Sequence, residues 1–98
     1  MDSSTANNST QPDAAAADEA FKLLSDGTRL ELLQALWEAH DPENPEPVRF
    51  ADLRERVSIG DSGQVHYHLD RLTDHFVRHT EEGYELRESG KRIVRTIL

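Results

Sequence analysis

Five histidines (His40, His66, His68, His75 and His79) and the serines Ser62 and Ser89 are the residues whose types invite metal or hydrolytic chemistry. A metal needs several donors converging on one point, whereas His66 and His68 are two apart and point in different directions on a helix. A hydrolase triad needs a strained nucleophile turn and a base held by an orienting partner, and neither serine has that setting. No catalytic residue, metal site or cofactor is assigned on these grounds, and the chain reads as a non-enzyme. A different set stands out in residues 62–71, where Ser62, Gln64, His66, Tyr67 and Arg71 offer hydrogen-bonding and aromatic groups within ten positions.

Those side chains act together only if a helix holds them on one face. At about 100° per residue, Val65, Leu69, Leu72 and Phe76 recur at spacings of 4, 3 and 4 and form an apolar line. The opposite side then presents Gly63, Gln64, Tyr67, Asp70, Arg71 and Asp74, with His66 at one flank and His68 nearer the buried edge. Upstream, residues 51–57 carry Leu53 and Val57 at i and i+4, a short one-sided helix. Ser58, Ile59, Gly60 and Asp61 break it, with Ile59 as an apolar plug and Asp61 or Ser62 as cap of the longer helix. Downstream, residues 77–80 and 84–87 alternate across Glu81, Glu82 and Gly83, a hairpin in which Gly83 suits the left-handed position. Helix, turn, helix and hairpin in this order outline a winged helix-turn-helix.

The remaining elements supply a base for that unit. Residues 1–12 are small and polar without periodicity and read as a mobile tail, leaving residues 13–98 as one domain. Asp13 is placed to cap a first helix from Ala14, with Phe21 and Leu24 available for burial and Leu23 beside them. Asp26 is the expected N-cap of a second helix over residues 28–39, where Leu30, Leu33, Trp37, Leu32 and Leu36 make a broad apolar face. Three prolines in residues 41–47 enforce a loop. Val48, Arg49 and Phe50 after it suit a minimal strand beside the hairpin. Residues 89–98 read as a last helix with Ile93, Val94, Ile97 and Leu98 apolar. The expected fold is mainly α with a small β-hairpin: about five helices and a two- to three-stranded wing sheet.

Charge bounds the function. The chain carries −8 over 98 residues, whereas a phosphate-binding domain is ordinarily basic. The acid is uneven: residues 1–20 hold −4 and residues 61–98 only −1. Nine arginines against two lysines, Lys22 and Lys91, are the balance of a salt-loving microbe. At molar salt the Debye length falls to about 3 Å, so surface acids scarcely repel a phosphate beyond contact range. The absence of cysteine excludes a disulfide framework and a thiol nucleophile. With no apolar run of membrane-spanning length and no signal-peptide pattern, the expected location is the cytoplasm.

The segments FKLLSDGTRLELLQAL, GQVHYHLDRL and GYELRESG resemble the ArsR-like winged-helix transcription regulators, especially the acidic versions abundant in halophilic archaea. The likeness covers about residues 18–98, and its first segment is the most specific. It implies double-stranded DNA binding as a homodimer, with the first and last helices at the interface. The second helix of the helix-turn-helix would read the major groove through Ser62, Gln64, His66, Tyr67 and Arg71, while Arg54, Arg56, Arg78 and Arg87 hold phosphates. Metal-sensing members carry thiolates on the helix matching residues 51–57; ADLRERV has none, which excludes sensing through that site. Gly27 stands where the family often has proline, and the glycine usual before the wing is missing at Phe76. Many acidic relatives continue into a second domain, a possibility the resemblance leaves open here. The competing expectation is a winged helix used for protein contact within a transcription complex, without direct DNA reading.

Overall fold

The computed structural model describes residues 14–58 and 61–97, so the expected tail, the Asp13 cap, the Ile59 plug and Leu98 lie outside the described residues. Its elements are α1 (Ala14–Leu24), α2 (Gly27–Ala39), α3 (Phe50–Arg56), α4 (Ser62–Leu72), β1 (Val77–Thr80), β2 (Gly83–Leu86) and α5 (Glu88–Ile97). This is a winged-helix-like fold of five helices and one antiparallel hairpin.

Helix α2 is the spine. Its start is fixed by the Asp26 carboxylate, which accepts from the Thr28 amide at 2.8 Å, as an N-cap does. Its end is fixed at His40, whose amide donates to the Leu36 carbonyl just before the proline loop. Leu32, Leu33, Ala35 and Leu36 are buried along it, so α2 touches α1, α3, α4, β2 and α5. The buried stripe is rotated from the expected one: Leu30 and Trp37 are only half-buried. In α1 only Leu23 is buried and Phe21 is 71% exposed, against the expectation that Phe21 enters the core. The helical spacing that turns Leu23 inward turns Phe21, two positions earlier, away by about 200°.

Leu53 and Val57 are both buried, as their spacing requires, and α3 begins one residue early, at Phe50. The expected minimal strand shrinks accordingly to a single bridging residue: Val48 exchanges two backbone hydrogen bonds with Tyr84, at 2.7 and 2.8 Å. Tyr84 thus pairs on its other side with His79, in a hairpin register that also matches Val77 with Leu86 and Arg78 with Glu85. Gly83 is required by two causes. Its φ of +153° is one that L side chains rarely adopt, and a Cβ there would lie 2.7 Å from the Val48 carbonyl carbon. The positive φ accords with the left-handed position expected of it, and the hairpin also presses Gly83 against the Val48 bridge.

Gly90 plays a comparable part in α5, because a Cβ there would strike the Phe76 carbonyl oxygen and lie 3.0 Å from a Leu86 methyl. The last helix therefore crosses close over the α4-to-hairpin joint. Val65, Leu69, Leu72 and Phe76 are all buried, and burying side chains of this size contributes about 1.5–3 kcal/mol each. Among the described residues no polar or charged residue is buried and no helix is long and apolar enough to cross a membrane.

Candidate functional site

Three contacts set the pose of α4. At its start, Asp61 accepts from the Gly63 amide at 2.8 Å, the capping expected of it. The turn before it is pinned to the spine, because Ser58 donates through its amide and its hydroxyl to the Glu31 carboxylate of α2 at 3.1 Å. Along its length, Arg29 of α2 donates to His68 Nδ1 at 3.0 Å, so His68 presents an acceptor there and is engaged inward. Desolvation opposes the charge on Asp26 nearby, yet hydrogen bonds from the Thr28 and Arg29 amides and the positive charge of Arg29 outweigh it. The carboxyl is therefore held below its ordinary pKa of 3.8.

With that pose, Ser62, Gln64, His66, Tyr67 and Arg71 are all exposed along α4. Tyr67 is 56% exposed, with its ring edge-on to His68 at 5.2 Å between centroids. Arg71 has no ion pair with Asp74 or any other described residue. His66 stacks on Phe50 of α3, with centroids 3.8 Å apart and planes within 2°, which fixes its ring beside the start of α4. Ser62 accepts from Arg54 Nε at 3.3 Å, so the α3 arginine stands next to the same helix end.

The other arginines are placed differently from one another. Arg56 lines a shallow cleft with Glu31, Gln34, Ala35 and Glu38 of the spine, on a surface with none of the α4 candidates. Arg78 reaches across the hairpin to Glu85 at 3.3 Å in an exposed pair of the kind that contributes about 1 kcal/mol or less. Arg87, expected to hold a phosphate, is bonded within the fold: its Nε donates to the Val77 carbonyl at 2.9 Å and one terminal nitrogen to the Thr73 carbonyl at 3.3 Å, so two of its three guanidinium nitrogens are engaged by backbone. Alternation along the hairpin could not reveal this, since Thr73 is brought under Arg87 only by the turn after α4.

Between α4 and the hairpin lies an open groove of about 560 Å³. Arg49, Phe50, His66, Tyr67 and Asp70 line one side, and His79, Glu81, Glu82 and Tyr84 the other. A second ring stack, His79 on Tyr84 at 4.2 Å and 4° between planes, covers the hairpin side. Burial and then the nearby Asp70 charge push the Tyr84 hydroxyl above its ordinary pKa of 10.0. Reasoning from sequence missed Arg49, Phe50, His79 and Tyr84 as lining residues. For the last two the signal was present, because a hairpin register through residues 81–82 places His79 opposite Tyr84. For Arg49 and Phe50 there was none. Among the described residues no three histidine, aspartate or glutamate side chains converge as a metal site.

No curated protein and no solved structure matches the chain. A family model described as a domain of unknown function, DUF7347, matches residues 17–97, from within α1 to the end of α5, and the chain belongs to that family.

Proposed function

We propose that the protein is a sequence-specific double-stranded DNA-binding regulator of transcription, ArsR-like in kind, acting in the cytoplasm as a homodimer. The observation that carries this reading is the α4 face. Gln64, His66, Tyr67 and Arg71 are exposed on a helix whose other side is buried, in the position from which a helix-turn-helix reads a major groove. Glutamine matches the donor and acceptor of adenine, and the arginine fork matches guanine. Arg54, beside the start of α4, and Arg78, once released from Glu85, are the candidates for phosphate contact. Arg87 is left out for its internal bonds, and Arg56 for its place beside the spine.

The test is a binding assay at high salt on upstream regions of its own genome. The double variant Gln64→Ala with Arg71→Ala should lose discrimination of the best site by at least about tenfold, since each good bidentate pair is worth about 1–3 kcal/mol. Unchanged binding by that variant would sink the reading-head assignment. A second reading, a winged helix that contacts protein within a transcription complex, is favoured by the carboxylates of Asp70, Glu81 and Glu82 in the groove beside the reading face. That reading requires no duplex binding at any salt and a stoichiometric protein partner.

A further inference from the structure

The groove between α4 and the hairpin shares His66 and Tyr67 with the proposed reading face and adds to them a chemistry that DNA reading does not call for. Aromatic rings line both walls, Phe50, His66 and Tyr67 on the helix side and His79 and Tyr84 on the hairpin side, and four of the five are held in two near-parallel stacks, one in each wall. Tyr67 is 56% exposed. Carboxylates also come from both walls: Asp70 from the helix, Glu81 and Glu82 from the hairpin loop. None of the three is in an ion pair with a described residue, and Arg49 is the single lysine or arginine lining the space.

We propose that this groove is a binding site for a small organic cation with an alkylated ammonium or guanidinium head. Rings with negative faces attract such a weakly hydrated cation at close range, and the carboxylates supply the opposite charge without demanding a fixed coordination geometry. The groove excludes other ligand classes on physical grounds. Three carboxylates repel a phosphate or a carboxylate ligand. A hard divalent ion needs several oxygens converging on one point, and no such cluster is found among the described residues. The volume falls within the range of small-molecule clefts, about 300–1,000 Å³.

The inference goes beyond the DNA reading and does not depend on it, because the ligand is titrated without DNA. In nuclear magnetic resonance spectra of the full chain at constant ionic strength, sodium chloride is replaced stepwise by tetramethylammonium chloride. Shifts that saturate and centre on Arg49, His66, Tyr67, His79 and Tyr84 are expected. Asp70→Asn and Tyr67→Ala should each weaken the titration by about 2- to 5-fold, the fold-change equivalent of one exposed cation–π or ion contact. The double variant Glu81→Gln with Glu82→Gln, at the exposed loop tip, tests the charge again if Asp70→Asn fails to fold. Three outcomes would overturn the proposal: shifts that rise linearly without saturation, equal shifts with neutral tert-butanol, or a curve unmoved by removal of the carboxylates.

Discussion

Arg87 donates its Nε hydrogen to the Val77 carbonyl oxygen at 2.9 Å, and the same guanidinium extends to the Thr73 carbonyl at 3.3 Å. One side chain at the hairpin exit thereby satisfies carbonyls on the turn that ends α4 and on the first strand. A fork of fixed geometry can bridge two such oxygens where a single ammonium cannot. The joint between reading helix and hairpin is set by this bridge together with Gly90, which lets α5 pass over the Phe76 carbonyl.

Removing the bridge should therefore loosen the joint. Arg87→Ala is expected to lower stability by about 1.5–3 kcal/mol, the range for hydrogen bonds to a charged group, and Arg87→Lys should recover less than half of it. Urea unfolding of the three proteins measures this. If Arg87 held a phosphate instead, Arg87→Ala would keep the urea midpoint and flatten the salt dependence of DNA binding.

Two glycines make a paired test of backbone demand. Gly83→Ala forces a side chain into a positive φ and into the Val48 carbonyl, so it should cost at least about 1–3 kcal/mol and broaden the hairpin resonances. Gly27→Ala meets nothing within 4 Å at the first residue of α2, and should raise stability by about 0.4–1 kcal/mol. A thermal melt in which both changes move in the same direction would contradict the account.

Asp26 predicts the acid limb of stability. Its carboxyl has a pKa below 3.8 in the folded chain, so its contribution is complete above the unfolded value and is lost as pH falls through the lower folded one. Asp26→Ala also removes the cap and should cost about 0.5–2 kcal/mol near neutral pH. The difference between the two proteins, followed by urea midpoints from pH 6 down to pH 2, is expected to shrink below about pH 4. A difference that stays constant over that range contradicts the lowered pKa.

Phe21 on α1 and Ile97 on α5 are large apolar residues left 71% and 53% exposed. If the proposed homodimer forms through the first and last helices, Phe21→Ser with Ile97→Ser should shift sedimentation toward the monomer at equal concentration while the far-ultraviolet dichroism per residue stays within about 10%, since neither residue belongs to the core. A wild-type chain that sediments as a monomer at every concentration tested removes the dimer from the proposal.

Salt gives the broadest test. A net charge of −8 repels itself in dilute buffer and is screened at molar salt, where the Debye length is about 3 Å. The melting temperature should climb steadily from millimolar to molar potassium chloride. Full stability in dilute buffer with no salt dependence would count against a halophilic setting.

The sequence by itself determined the order and type of nearly every element, because local rules act within a few residues. The apolar spacing of Val65, Leu69, Leu72 and Phe76 made one face of α4 and buried it, and Asp26 and Asp61 capped their helices as their types require. The exposure of Gln64, Tyr67 and Arg71 followed from the same periodicity. Only tertiary structure decided which arginines were free and what walled the groove. Arg87 finds Thr73 across 14 residues, Arg29 finds His68 across 39, and Phe50 meets His66 only once α3 folds against α4. Phe21 shows the same limit from the other side. Its apolar type predicted burial, but an amphipathic helix with a narrow inward stripe turned it outward. Periodicity fixes which residues share a face, whereas the partner each face meets depends on contacts between segments far apart in the chain.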